Sequence, residues 1–306
     1  MRIKLKTSIE LDYQANENCS FQLNFQPAFT PQQVVSDEQL HIDGALDLHS
    51  FTDWLGNRFV RFNANRGPVS VRYLAHVEIS PMLVDPAALH ELQPIDIPSS
   101  VIPFVLPSRY CESDKLMGFA ISQFGALPSG YRRFAAIAQW VRSNVAFTSG
   151  ASTSLTSAAD TLQQRQGVCR DYANLTISLC RALNIPTRFV SGIDFGSDPQ
   201  LGPLDFHAYV ECLLGDRWYL IDPSGLSPET GLMRIGTGRD AAEVAFATIF
   251  GSVQYSAPRM SCEAINAPEQ GIVAPFRTEL AVSTASYASH PNDRQTASPA
   301  AALLAA

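Results

Sequence analysis

Over the first third of the chain apolar and polar residues alternate with a period of two, in short runs at Ile3 to Tyr13, Ser20 to Gln26, Gln39 to Leu48, Arg58 to Asn63 and Val69 to Ile79. Such a period puts successive side chains on opposite faces of a strand. The breaks at Asn16, Asp43-Gly44, Gly56-Asn57 and Gly67-Pro68 are turn chemistry, so residues 1–110 are expected to form an antiparallel β-rich domain. A proline-rich passage, Pro94 to Pro107, leads out of it, and residues 111–127 read as a linker. After Pro128-Ser129-Gly130 the period changes to that of a helix, with Phe134, Ile137, Ala138, Val141 and Val145 on one face up to about Asn144. Ala158 to Leu162 makes a short helical turn. A further helix is expected from Cys169 to about Leu183, burying Val168, Tyr172, Leu175, Leu179 and Ala182, and Asn184-Ile185-Pro186 stops it. Thr187 to Ile193, His207 to Leu214 and Trp218 to Asp222 then read as strands, and Ser252 to Val282 as weaker ones. The expected class is α+β, with a second domain over residues 128–282. Residues 283–306, rich in Ala, Ser and Pro without periodicity, read as a flexible tail.

The helix predicted from Cys169 begins where a polar loop, Gln163-Gln164-Arg165-Gln166-Gly167-Val168, gives way to an apolar period. A thiol at a helix N-terminus meets a partial positive charge and unpaired N–H groups, which favour a thiolate and can hold an oxyanion. Gly167 would let the backbone approach a substrate or take a positive φ, and Gln163 or Gln164 could add a side-chain donor. The bland alternative, one more buried thiol, is weakened by Gly167 before and Arg170-Asp171 after.

A histidine and an acid follow in the order such a nucleophile needs. Gly215-Asp216 suits a two-residue type II′ turn, which pairs Leu214 with Arg217, Leu213 with Trp218, and by extension Tyr209 with Asp222. His207 and Asp222 then share one face as diagonal neighbours, with Cβ atoms about 7–8 Å apart. A register shift of one residue would separate them. Cys169, His207 and Asp222 are therefore the candidate nucleophile, base and orienting acid. Asp171 and Asp205 are expected to cap or neutralise, Glu211 to be an exposed structural residue, and Cys180 to belong to the core.

With 306 residues, 46% hydrophobic and 17% charged, the chain can build a real core. A net charge of −7 and the lack of basic runs argue against nucleic acid as a partner. No stretch approaches the length of a membrane span, and the N-terminus alternates like a strand rather than carrying an apolar leader, so a cytoplasmic location is expected. The six cysteines are widely and irregularly spaced, which suggests neither a disulfide framework nor a zinc cluster.

The segments Gly167-Val168-Cys169-Arg170-Asp171-Tyr172-Ala173-Asn174-Leu175, Ile185-Pro186-Thr187-Arg188-Phe189-Val190-Ser191-Gly192, His207-Ala208-Tyr209-Val210-Glu211 and Trp218-Tyr219-Leu220-Ile221-Asp222-Pro223-Ser224 resemble the bacterial transglutaminase-like superfamily, many of whose members are described as cysteine proteases by inference. The resemblance covers roughly residues 128–260, and Asp53 to Asn57 is similar to a turn in the β-rich region that accompanies this family. It implies a papain-like α+β fold, with nucleophile, histidine and acid at Cys169, His207 and Asp222. It also implies thioester chemistry on a peptide or amide substrate without metal or organic cofactor. Tyr209 stands where tryptophan is more usual, which would alter the wall of an acyl pocket, and Ser224 where threonine is frequent. Hydrolysis of an amide or isopeptide bond is the first expectation, since water needs no second docking site. The competing expectations are glutamine–lysine cross-linking, and a non-catalytic peptide-binding module using the β-domain edges.

Overall fold

The computed structural model describes residues 1–196 and 204–286. The alternating N-terminal runs form strands β1 (Ile3–Ala15), β2 (Cys19–Leu23), β3 (Gln33–Asp43), β4 (Leu46–Thr52), β5 (Arg58–Ala64), β6 (Gly67–Ile79) and the short β7 (Met82–Val84). The alternation of buried with half-buried or exposed residues along β1 and β6 reflects a sheet with one face on a core. Helices α1 (Ser113–Phe124) and α2 (Tyr131–Asn144), strand β8 (Ala146–Phe147), α3 (Ala158–Gln164), β9 (Gln166–Gly167) and α4 (Cys169–Arg181) follow. The chain continues through β10 (Thr187–Ile193), β11 (Phe206–Leu214), β12 (Arg217–Ile221), β13 (Met233–Gly238), β14 (Ala247–Phe250), β15 (Val253–Tyr255), β16 (Arg259–Ile265) and β17 (Ala281–Ser286). The class is α+β, and every ladder between these strands is antiparallel except the two-residue β8–β9 pair.

Two sheets share β1 to β6 with three strands from far downstream. In one, β3, β6 and β1 lie side by side, with β15 and β16 sharing the other edge of β1; in the second the order is β14-β2-β5-β4. Between them lies an aromatic and branched core, in which Phe21 stacks on Phe62 with centroids 4.9 Å apart. A third sheet, ordered β13-β10-β11-β12-β17-β7, carries α4 against its centre.

The expected boundaries at 110, 127 and 282 therefore do not coincide with sheet boundaries. Strands β14 to β16 belong to the N-terminal sheets, β7 belongs to the third sheet, and Ser283 to Ser286, expected in the tail, complete β17. The rest of that expected tail, residues 287–306, lies outside the described residues. The expected linker is also not one. Val101 and Phe104 are buried against Trp218, and α1 presents Leu116, Ala120 and Phe124 to the core around α4. Proline-rich spacing conceals this from a periodicity reading, because the passage packs through short 3₁₀ segments.

Helix α4 departs from the amphipathic expectation as well, being buried from Asp171 to Arg181 on every side. Three helices and the sheet enclose it, so its polar residues face partners rather than water. Arg181, for example, donates to the carbonyls of Thr187, Leu106 and Arg239 at 2.8, 3.1 and 2.5 Å.

Candidate active site

The entry into α4 is set by local chemistry. Ser157 and Asp160 form a capping box at the start of α3, and Arg165, in the left-handed region at φ 59°, ends it. The chain then runs through β9 alongside β8 and turns into α4, where Asp171 accepts from the Val168 N–H at 2.9 Å. Asp171 thus caps the helix as expected, while Arg170 pairs with it and ties the turn to the Thr153 carbonyl.

Gly167 lacks the positive φ that was one of the two reasons expected for it, and packing supplies another. A Cβ there would lie 2.7 Å from the Asp171 Cβ, so glycine makes room for the capping carboxylate. Gly167→Ala is expected to destabilise the fold by about 1–3 kcal/mol, read as a lower urea midpoint, by pushing Asp171 off Val168.

Cys169 is the first residue of α4 and half-buried. His207, near the start of β11, and Asp222, just past β12, are buried. The expected hairpin register is present, with Leu214 opposite Arg217, Leu213 opposite Trp218 and Val210 opposite Ile221, and Gly215 turns at φ 60°. That register brings His207 Nε2 to 3.2 Å from Asp222 Oδ2, an ion-pair contact in which the N–H does not point along the line to the oxygen. The Cys169 thiol lies within hydrogen-bonding reach of the same imidazole.

Burial alone would make the His207 imidazole harder to charge, but the Asp222 carboxylate and the Cys169 sulfur beside it reverse this and hold its pKa well above the usual histidine value. Burial likewise opposes the Asp222 charge, and His207, Ser224 and the Ser227 N–H overcome it, bringing the carboxyl down to about 2. Ser224 donates its hydroxyl to Asp222 Oδ1 at 2.6 Å, a bond that threonine would equally supply. Leu226 N–H reaches Oδ2 at 3.0 Å, and Arg142 of α2 donates to the Asp222 carbonyl at 2.6 Å. The acid is held by its own loop.

The remaining expected residues are not gathered into this site. Gln163 and Gln164 sit exposed at the end of α3, and neither has a hydrogen bond to Cys169, His207 or Asp222 among the described residues. Tyr209, expected in a pocket wall, is fully buried among Val190, Leu220, Leu232 and Val282. Glu211, expected to be exposed, is fully buried between Arg188 and Arg234. Among the described residues no cluster of histidine, cysteine and carboxylate side chains could hold a metal ion.

One further carboxylate was missed. Asp194, immediately after β10, lies with Oδ2 3.7 Å from His207 Nδ1 and accepts from the Ser227 hydroxyl at 2.7 Å. No local signal marked it: the β10–β11 ladder pairs Gly192 with His207, which makes Asp194 the next residue on the same face.

The Transglutaminase-like superfamily model matches residues 119–223, a span that contains Cys169, His207 and Asp222. A crystal structure described as a "putative cysteine protease" from Cytophaga hutchinsonii superimposes with a TM-score of 0.86 at 35% identity, covering 92% of this chain and 98% of that one. This chain belongs to the transglutaminase-like superfamily. An uncharacterized Mycobacterium leprae protein is 32% identical over 114 residues, which is 36% of this superfamily member and 41% of the relative, so the match spans less than half of that relative's length. The periplasmic domain of TgpA from Pseudomonas aeruginosa bound to ethylmercury, at 17% identity over 72% of this chain and 90% of that one, gives a TM-score of 0.37.

Proposed function

We propose that this superfamily member is a cysteine-nucleophile hydrolase that cleaves an amide, peptide or isopeptide bond through a thioester acyl-enzyme. The observation that carries the reading is the placement of one half-exposed thiol at a helix N-terminus, against an imidazole whose far nitrogen meets a buried carboxylate.

In this reading the Cys169 thiolate attacks the amide carbonyl and forms the new C–S bond, while the carbonyl electrons move onto oxygen. The Cys169 N–H, which by helix geometry has no intrahelical acceptor, faces that oxyanion. Collapse breaks the C–N bond, and the departing amine takes a proton from the His207 imidazolium. Water, losing its proton to His207, then attacks the thioester and releases a carboxylic acid and the Cys169 thiolate. Asp222 keeps the imidazole in one orientation and stabilises its charge throughout. No metal or organic cofactor takes part in these steps. A reduced thiol nucleophile suits a cytoplasmic setting, with a peptide or amide as the partner.

The pH dependence of iodoacetamide alkylation, followed at each cysteine by peptide mass mapping, tests the reading. Burial pushes the Cys111, Cys180 and Cys262 thiols up to about 12 and holds the Cys212 thiol well above the usual cysteine value, so they are poor competitors. Cys169 is expected to react fastest below neutral pH, and His207→Ala to slow it about tenfold or more at pH 6 by removing the charged partner. Alkylation of Cys169 no faster than that of the other cysteines would sink the proposal.

A further inference from the structure

His207 is approached by acids from both sides of its ring. Asp222 faces Nε2 from beyond β12, and Asp194, itself almost fully buried, faces Nδ1 from beyond β10. Ser227 ties the two together, its hydroxyl donating to Asp194 Oδ2 at 2.7 Å and its N–H to Asp222 Oδ2 at 3.3 Å. Nδ1 is also the nitrogen left for the Cys169 thiol once Nε2 is committed to Asp222. We propose that Asp194 is a second positioning carboxylate of His207, which keeps the resting imidazole charged and shares its Nδ1 proton with Cys169.

The arrangement has a physical logic. A proton on Nδ1 that could be drawn only by Cys169 would return to the sulfur whenever the substrate was absent. A carboxylate 3.7 Å away, too far for a short hydrogen bond yet buried with the ring, favours the imidazolium without removing its proton. Cys169 from α4, Asp222 from the loop after β12 and Asp194 from the end of β10 are the charged or titratable groups facing the ring among the described residues. Asp205 feels the Asp194 charge, Glu229 feels that of Asp222, and Arg142 reaches only the Asp222 carbonyl.

The proposal takes its catalytic meaning from the thiol-nucleophile reading, but its test does not need a reactive thiol. Histidine-selective ¹⁵N NMR in the Cys169→Ala background reads the titration of His207, assigned by its loss in His207→Ala. Removing a carboxylate from beside an imidazolium makes the proton easier to lose, so Asp194→Asn is expected to lower the midpoint by about one pH unit. Asp194→Glu should recover most of that shift, and Asp205→Asn should cause little. If Asp194 merely anchors Ser227, Asp194→Asn will move the midpoint no further than Ser227→Ala does, and the proposal falls. Should Asp194→Asn fail to fold by thermal melt, Asp194→Ser carries the same comparison. Failure of the nucleophile reading would appear separately, as ordinary alkylation of Cys169 in the wild type.

Discussion

Cys169→Ala is expected to abolish acyl-enzyme formation. With p-nitrophenyl acetate as the acyl donor, the wild type should release a burst of nitrophenol and gain one acetyl group on the peptide containing Cys169, seen by mass spectrometry. The variant should lose the burst and about 10⁴-fold or more of kcat/KM, because removing the nucleophile of a cooperating set removes nearly all that the set contributes. No other thiol is placed to substitute. Cys180, about three turns along the same helix, is fully buried and pushed up to about 12, as is Cys111 across the core. The folded state should barely notice, since Cys169 is half-exposed and alanine suits a helix. Loss of activity with an unchanged urea midpoint would assign the chemistry to the sulfur. Acetylation persisting at Cys169-independent sites with the burst intact would refute it.

Cys169, His207 and Asp222 were legible in the sequence as neighbours because each sits at a position that local chemistry fixes, whereas Asp194 was not. A two-residue turn at Gly215-Asp216 determines the register of β11 and β12, and the register determines which side chains share a face with His207. A glycine and a capping aspartate mark the start of α4, and Asn184-Ile185-Pro186 marks its end, with Asn184 in the left-handed region at φ 60°. What escaped was long-range. Nothing local in Arg259 to Ile265 says that it will pair with Lys4 to Glu10, or that Met82 to Val84 will join β17. The burial of Glu211 was hidden for the same reason: one partner, Arg188, lies across the β10–β11 ladder, which no tight turn announces, and the other, Arg234, arrives on β13 from outside the hairpin. Gly167 was singled out, but the positive φ offered for it is absent, and the atom it makes room for is four residues away on the next turn. Sequence periodicity reports how one element meets an average neighbour, and these residues depend on which neighbour it is.

Glu211 is where that dependence carries the largest expected cost in stability. It lies on β11 four residues after His207 on the same face, fully buried, with Arg188 bonding one carboxylate oxygen at 2.6 Å and Arg234 the other. Arg188 also lies over the Trp218 ring at 4.0 Å, so its guanidinium is held by a carboxylate and an aromatic face. Burial lowers the Arg188 pKa to about 10, and Glu211 is the main influence opposing that fall. Glu211→Gln keeps the shape and leaves two buried guanidiniums without their anion. A loss of about 3–5 kcal/mol is expected, which would lower the urea midpoint sharply. Because the cost is that of stranded charge rather than of a missing contact, Glu211→Leu combined with Arg188→Met and Arg234→Met should regain much of it. A Glu211→Gln variant unfolding at the wild-type urea concentration would show that the guanidiniums find water or other acceptors. If the triple variant is stable but its His207 titrates differently from the wild type, the charged cluster also sets the strand geometry on which the imidazole depends.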